Sequence, residues 1–322
     1  MRAFRKAAAS VDEIDPDRLE LLASSGNLKT VPNVGDTTAR VIAEAVAGKV
    51  PSYLEQIESA GWVSISPEAL ALREKLKGDC HSHSDWSDGG SPIAEMAETA
   101  AEMGHDYLVL SDHSPRLTVA HGLTAERLRE QLKVVAELNE KMAPFRLLTG
   151  IEVDILEDGS LDQDEALLAQ LDVVVASVHS KLRMESPQMT RRMVRAVENR
   201  HSDILGHCTG RLMGKKGREP SSFDAEAVFS ACARTETAVE INSRPERRDP
   251  PEELLRVAVE IGCRVSIDTD AHAPGQLEWL GLGCEQAVNA GVDPDSVVNS
   301  RTVEGLLQWA ASHDAPPAAS GR

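Results

Sequence analysis

The chain of 322 residues has few aromatic side chains and no cysteine pair of the kind that binds zinc. Trp, Tyr and Phe together make up 3% of it, so a long base-stacking surface for single-stranded nucleic acid is not expected. The five cysteines include no Cys-x-x-Cys pair, which argues against a thiolate zinc finger and against a disulfide framework. We expect reduced, buried thiols.

Long apolar runs and an excess of positive charge are also missing. No apolar run approaches the ~20 residues that a membrane-spanning helix requires, and the N-terminus lacks the apolar segment of a secretory signal. The chain has 34 Lys and Arg against 52 Asp and Glu, a net charge of −18. Because its overall field does not attract nucleic acid or anionic membranes, we expect a soluble, cytoplasmic protein whose contacts with nucleic acid, if any, are local.

From residue 79 onward, short β-type runs alternate with amphipathic helical segments. The seven predicted strands are residues 79–83, 106–111, 145–153, 172–178, 203–207, 238–242 and 264–270. The predicted helices between them include residues 92–103, 125–140, 187–199, 224–234 and 251–261. This alternation indicates an α/β fold, a closed or nearly closed seven-stranded barrel. An open doubly wound sheet is the alternative, and the lack of a glycine-rich nucleotide fingerprint weakens it.

The first 78 residues are predicted to be helical. Apolar positions recur at helical spacing in residues 19–23, 39–47 and 53–57, and residues 31–35 predict a tight turn. We therefore expect a small all-helical domain at 1–65, a connector helix at 66–78, the barrel at 79–312 and a disordered tail at 313–322.

Imidazole and carboxylate side chains lie at the C-terminal ends of six of the seven predicted strands, and six of the ten histidines are among them. The C-terminal ends of parallel barrel strands meet at one rim, where active sites are built. The predicted metal ligands are His81, His83, Asp88, His113, Glu152, His179, His207, Asp270 and His272. For any single histidine a core or surface role is the simpler interpretation. For the set, a metal site is favoured, because clustered charges and imidazoles would otherwise repel one another or go unsatisfied.

Nine nitrogen and oxygen ligands exceed what one ion uses, since four close a structural zinc site and three suffice for a catalytic one. The pattern therefore indicates two or three divalent ions, and Zn²⁺, Mn²⁺ or Fe²⁺ would all suit these ligands. Closely spaced ions lower the pKa of a bridging water and clamp the oxygens of an in-line displacement. Hydrolysis of a phosphate ester is the reaction that benefits most.

The order of these motifs resembles the PHP (polymerase and histidinol phosphatase) family. The matching segments are Asp-Cys-His-Ser-His-Ser at 79–84, Trp-Ser-Asp-Gly at 86–89, Ser-Asp-His-Ser at 111–114, Gly-Ile-Glu at 150–152, Ser-Val-His-Ser at 177–180, Gly-His at 206–207, Glu-Ile-Asn at 240–242 and Asp-Ala-His at 270–272. Similarity is greatest to the PHP module of bacterial family X DNA polymerases. The resemblance implies a distorted seven-stranded barrel that holds a trinuclear metal centre.

By motif position, the resemblance assigns the ligands to three ions. His81, His83, Glu152 and Asp270 would hold the first ion. Glu152, His179 and His207 would hold the second, with Glu152 bridging the two. Asp88, His113 and His272 would hold the third.

The catalytic residues expected within this centre are Glu152, Asp270 and Asp112. Asp112 could orient an imidazole, and a loop cap is the equal alternative. Phosphate needs cationic donors near the metals. The candidates are Arg116, Lys181, Arg211 and Arg244, each just beyond a strand end, of which Arg211 and Arg244 are preferred.

Residues 28–42 resemble a helix-hairpin-helix motif, which presents backbone N–H groups to a DNA phosphate. Asn33, Val34 and Gly35 would make that contact. However, Asn33 replaces the first hairpin glycine and Asp36 places a carboxylate where the phosphate would lie. Residues 1–78 also have 10 Lys and Arg against 11 Asp and Glu, whereas DNA-binding segments are normally basic. A helical cap without DNA binding is therefore an equal interpretation.

The expected activity is metal-dependent hydrolysis of a phosphoric ester, in which a hydroxide that bridges the ions attacks phosphorus. The preferred substrate is a small phosphomonoester, such as histidinol phosphate or a nucleotide. The alternative is a DNA 3′ end, acted on by a 3′-5′ exonuclease or 3′-phosphoesterase in repair. Hydrolysis of a non-phosphate substrate and a non-catalytic DNA-repair binding module are lesser alternatives, and no polymerase palm is expected.

Overall fold

The computed structural model describes residues 2–53, 65–214 and 217–313. The chain divides into two compact units, Met1–Ser64 and Ile65–Arg322. In the described part, no helix has both the length and the apolarity needed to cross a bilayer.

The smaller unit contains helices α1 (Arg2–Asp12), α2 (Pro16–Ser24) and α3 (Asp36–Val46). The Asp15 side chain caps α2 by accepting from the backbone N–H groups of its first turn. The buried core of this unit is Ala7, Leu28, Val31 and Val34. The helical stretch predicted at 53–57 lies, after residue 53, outside the described residues.

The larger unit is built on seven strands that pair in parallel in chain order. They are β1 (Gly78–Ser82), β2 (Tyr107–Leu110), β3 (Arg146–Asp154), β4 (Val173–Ser177), β5 (Ile204–Leu205), β6 (Ala238–Asn242) and β7 (Val265–Asp268). A parallel bridge between Ser82 and Ala271 joins the end of β1 to the segment after β7. The sheet is therefore a nearly closed barrel, and the predicted fold class is confirmed.

Two strands, β5 and β7, end two residues earlier than predicted, because the residues that follow them bond to side chains. After β5, the backbone N–H of His207 donates to the Glu240 carboxylate. After β7, the Thr269 hydroxyl donates to Asp79, and Asp270 has a φ of +52°. These departures turn the chain out of the sheet at the residues that carry functional groups.

Nine α-helices are described in the larger unit. They are α4 (Pro67–Lys75), α5 (Ile93–Glu102), α6 (Ala125–Met142), α7 (Glu165–Leu168), α8 (Ser186–Val197), α9 (Ala225–Thr235), α10 (Glu252–Ile261), α11 (Leu280–Ala290) and α12 (Val303–Ser312). The five predicted helices correspond to α5, α6, α8, α9 and α10. Side chains of Ser66, Thr124 and Asp224 cap α4, α6 and α9.

Alternate residues of the strands pack into different cores, as a period of two requires. In β4, Val174 and Ala176 share a cluster with Phe229 of α9, whereas Val173 and Val175 share another with Trp309 of α12. All five cysteines are free and buried, as expected. This apolar packing holds the strands in place, so that their C-terminal ends form one rim.

A buried histidine remote from that rim makes stability depend on pH. His105 is 5% exposed, and its Nε2 lies 2.9 Å from Arg73 Nη2. Burial, and secondly the Arg73 charge, lower the pKa of His105 to about 4. The unfolded chain takes up this proton near pH 6.5, so stability falls as the pH drops from 6.5 towards 4, by up to about 3 kcal/mol from this residue.

We predict that His105→Gln, which can still bond to Arg73, removes this component of the pH dependence. Urea unfolding of both proteins at pH 7 and pH 4.5 measures it. The difference between the two free energies of unfolding should change with pH, and parallel curves would contradict the prediction.

Candidate metal centre

All nine predicted ligands lie at the C-terminal rim of the barrel. His81 is in β1, Glu152 is in β3, and the others lie in the segments that follow β1, β2, β4, β5 and β7. Most are buried, His179 and His272 are partly exposed, and Asp88 is exposed. The rim therefore gathers residues that are up to 191 positions apart, His81 and His272, into one cluster.

The carboxylate of Glu152 is at the middle of this cluster and faces five imidazoles. Its Oε2 lies 3.4 Å from His81 Nε2, 3.6 Å from His83 Nε2 and 2.8 Å from His113 Nδ1. Its Oε1 lies 3.1 Å from His179 Nε2 and 2.7 Å from His207 Nε2. Burial alone would raise the pKa of Glu152, but the imidazoles outweigh it and hold that pKa well below its usual value.

Three overlapping groups of side chains have the geometry to hold a metal ion, with ligand atoms within 4.8 Å of one another in each group. They are His83, Asp88, His113 and His272; His81, His83 and Glu152; and His113, Glu152 and His179. Asp270 joins them through Oδ1, which is 3.4 Å from His83 Nε2. These groups overlap the three predicted ligand sets without matching them member for member, so the assignment to individual ions stays a prediction.

Unpartnered polar atoms support metal binding. His81 Nε2, both ring nitrogens of His83 and Glu152 Oε2 are buried and accept or donate no hydrogen bond within the described chain. Burying such atoms without a partner costs free energy, and divalent cations would satisfy their lone pairs. Burial, with the neighbouring His272 and His113, lowers the pKa of His83 to about 3. His83 is therefore neutral at pH 7, the form that binds a metal.

Glu240 is a functional residue to which the sequence analysis gave no role. Its Oε1 lies 2.5 Å from His81 Nδ1, and its Oε2 accepts from the backbone N–H of His207. Burial would lower the pKa of His81, but Glu240 and Glu152 outweigh it and raise that pKa well above its usual value. Glu240 thus fixes one ring nitrogen of His81 and leaves the other facing Glu152. The feature of the sequence that could have pointed to Glu240 is its position in β6, two residues before Asn242.

Asp112 does not contact an imidazole among the described residues. Its buried carboxylate accepts from Ser84 N, Ser84 Oγ, Ser87 Oγ and Gln131 Nε2, at 2.5–2.8 Å. Asp112 therefore caps the loop that leads to Asp88. Of the two roles that the sequence allowed, capping and the orientation of an imidazole, the contacts fit capping. Its contribution to the site is to hold that loop.

The four candidate phosphate-binding cations occupy different environments. Arg116 and Lys181 are exposed. Arg244 Nη1 is 3.8 Å from Asp270 Oδ2, so its guanidinium faces the cluster. Arg211 instead donates from Nε and Nη2 to the backbone carbonyls of Arg247 and Arg248, so its guanidinium holds a loop.

Arg247 is a cation at the site that the sequence analysis did not single out. Its Nε lies 3.0 Å from Asp270 Oδ2, its side chain is 13% exposed, and its Nη1 is buried without a hydrogen-bond partner in the described chain. Burial would raise the pKa of Asp270, but His83 and Arg247 hold it well below its usual value. Only its position in the arginine-rich loop after β6 could have pointed to this residue.

The hairpin residues of the smaller unit bond within that unit. Asn33 has a φ of +64°, and its side chain donates to Ser10 Oγ at 3.1 Å. The Gly35 N–H donates to Thr38 Oγ1 at 2.9 Å. Asp36 pairs with Lys29, and the buried Val34 N–H donates to a backbone carbonyl. DNA binding by Asn33, Val34 and Gly35 stays a prediction.

With this geometry, comparison with known proteins identifies the family. Residues 79–244 match the model of the PHP domain. The chain belongs to the PHP domain family. It is accordingly a metal-dependent phosphoesterase, and the resemblance inferred from its motifs is confirmed.

Two relatives show how far the similarity extends. The chain is 36% identical over 290 residues to the DNA polymerase/3′-5′ exonuclease PolX of Bacillus subtilis (strain 168), which covers 90% of this chain and 50% of that protein. The chain thus spans half the length of this PHP relative. It is 30% identical over 237 residues to a probable phosphatase of Thermoanaerobacter sp. (strain X514), covering 70% of this chain and 91% of the relative.

A solved structure shares the fold. It is histidinol phosphate phosphatase from Lactococcus lactis subsp. lactis Il1403, complexed with zinc, L-histidinol and phosphate. The similarity covers 68% of this chain and 95% of that one, with a TM-score of 0.50 and 18% identity. At this identity the likeness supports the PHP barrel alone.

We predict that Glu240→Gln weakens metal binding about 10- to 100-fold, the usual effect of losing a carboxylate that orients a metal-binding histidine. Metal content per chain after dialysis against graded chelator measures this loss. Glu236→Gln, which changes an exposed carboxylate paired with Arg264, is the matched control. Equal metal retention by both variants would show that Glu240 does not position His81.

Proposed function

We propose that this PHP protein hydrolyses phosphodiester bonds at the 3′ ends of DNA strands. The cluster around Glu152, with two arginines beside Asp270, supports phosphate-ester hydrolysis. Similarity to PolX over 90% of the chain, through both the helical unit and the barrel, favours a DNA end over a small substrate. The sequence favoured a small phosphomonoester because the chain is acidic and has few aromatic residues; the proposal made here reverses that order.

A small phosphomonoester remains the second candidate. Similarity to probable phosphatases over 69–74% of the chain favours it, as does the net charge of −18. Both candidates need the same cluster of imidazoles and carboxylates and differ in what lies beyond the scissile phosphate.

The residues described above have separate roles in this proposal. Divalent ions, held by the nine predicted ligands, would supply Lewis acidity and lower the pKa of a water. Glu240 accepts the Nδ1 proton of His81 and so orients the ring with Nε2 towards the cluster, where Nε2 would bind an ion after losing its proton.

The two arginines are placed to stabilise the charge that grows on phosphate in the transition state. Asp270 accepts from Nε of Arg247 and leaves Nη1 free to donate to a phosphate oxygen. Arg244 approaches Asp270 from the same loop, so both guanidinium groups lie where a phosphate beside the cluster would reach them.

An assay of the manganese-loaded protein distinguishes the two candidates. We expect release of mononucleotides from the 3′ end of 5′-labelled single-stranded DNA, and loss of this release in His83→Ala purified in the same way. Turnover of a phosphomonoester panel without nucleotide release would favour the second candidate. Inactivity on both substrates, with metals bound, would exclude both.

Arg247→Ala should lower kcat/KM about 10- to 100-fold, because one charge-assisted hydrogen bond contributes about 1.5–3 kcal/mol. Inhibition by inorganic phosphate should weaken in parallel, while metal content stays unchanged. Arg256→Ala is the control, because Arg256 pairs with Glu252 on the exposed face of α10. Unchanged phosphate inhibition in Arg247→Ala would contradict the role of this arginine.

A further inference from the structure

Positive charge is concentrated on one side of the rim. The described segments after β4, β5 and β6 are residues 178–185, 206–214, 217–224 and 243–251, which we call the basic rim. They contain seven Lys and Arg against five Asp and Glu, a net charge of +2 in a chain of net charge −18. This local excess is opposite in sign to the charge of the whole protein.

The remaining segments of the rim are acidic or neutral. Residues 83–92, 155–164 and 269–279, after β1, β3 and β7, contain eight Asp and Glu and no Lys or Arg. The segment after β2, residues 111–124, has one Asp and one Arg. The metal cluster therefore lies between a basic arc and an acidic arc, and a polyanion that reaches it is favoured on the basic side.

The basic rim is one continuous surface, because its segments bond to one another. The Ser221 hydroxyl donates to the Leu182 carbonyl at 2.8 Å, which joins the segments after β4 and β5. The Met213 N–H donates to the Glu246 carbonyl at 2.6 Å, and Arg211 Nε donates to the Arg247 carbonyl at 2.9 Å. These bonds join the segments after β5 and β6.

Buried side chains also hold the basic rim in place. Arg192, 1% exposed, donates to the carbonyls of Leu156 and Ser180, both at 2.8 Å. The buried Asp249 accepts from the N–H and hydroxyl of Thr209. Since the backbone is already fixed, a ligand that binds here orders little more than the side-chain ends.

Three cations of the basic rim are free to meet such a ligand. Lys181 and Arg183 are exposed and Arg248 is partly exposed. Within the described chain, no carboxylate lies at ion-pair distance from any of the three, unlike Arg244 and Arg247, which face Asp270. Their charges are therefore available to phosphates outside the metal cluster.

We propose that single-stranded DNA whose 3′ end occupies the cluster leaves it across the basic rim, with its upstream phosphates against Lys181, Arg183 and Arg248. This proposal rests on the proposed function. It identifies the basic rim as the surface that makes a DNA strand a better substrate than a small ester. A phosphomonoester has its phosphate at the cluster and gains nothing from the basic rim.

The test compares Arg183→Gln/Arg248→Gln with the parent on two substrates, a single-stranded 12-mer and the p-nitrophenyl ester of thymidine 5′-phosphate. Each lost phosphate contact on a single strand lowers the salt slope by about 0.7. For the 12-mer, we expect the slope of log kcat/KM against log salt to fall by about 1.4 and kcat/KM to fall on the order of tenfold at low salt. Hydrolysis of the nucleotide ester should change by less than about twofold. This ester has a single phosphate, which lies at the cluster, so it has no further phosphate to contact the basic rim.

Arg129→Gln/Lys133→Gln is the matched control, because it removes two exposed charges from α6 and should leave the slope unchanged. If both double variants behave alike while the parent digests the 12-mer, the proposed path is wrong and the exonuclease assignment stands. If the parent, with metals bound, hydrolyses the ester but not the 12-mer, both proposals fail. Should the first variant unfold, Lys181→Gln replaces it in the test. Its slope of log kcat/KM against log salt for the 12-mer should be lower than that of the parent by about 0.7.

Discussion

The architecture of the rim depends on one buried carboxylate surrounded by imidazoles. Glu152 faces five histidine rings that come from β1 and from the segments after β1, β2, β4 and β5. A lone buried carboxylate would be protonated or would destabilise the fold. Here the surrounding nitrogens keep it ionised, and the strands that deliver them must all end at the same height. The ionisation of Glu152 and the alignment of the strand ends therefore depend on each other.

Two further carboxylates connect this centre to its surroundings. Glu240 joins it to β6 by contacting His81 and the His207 backbone. Asp270 joins it to the arginines, with Oδ1 towards His83 and Oδ2 towards Arg247. Under the proposed assignment, metal binding and phosphate binding share this side chain, so a change that moves Asp270 would alter both. Arg211, which holds the Arg247 backbone, extends this dependence to the loop after β5.

The barrel, and the gathering of the nine side chains at its rim, could be predicted because both follow from local pattern. Period-2 strands predict where side chains emerge, and parallel strands bring their ends together. Glu240, Arg247 and the bracing role of Arg211 could not be assigned in this way, since each depends on how two loops from different strands pack. The same applies to Asp112, whose partners Ser84 and Gln131 lie 28 and 19 residues away. The early end of β5 likewise follows from a side chain of β6 and not from the sequence of β5.

Net charge alone gives little information about the substrate, for a physical reason. Interactions between exposed charges are largely screened beyond about 8–10 Å at physiological ionic strength, so acids elsewhere on the molecule have little effect at the cluster. What a phosphate meets there is set by the nearest loops, and these divide into an acidic arc and a basic arc. An acidic protein can therefore present a cationic approach to its metal centre. If the substrate is a DNA end, the overall acidity would disfavour unspecific binding to nucleic acid without preventing binding at the strand end.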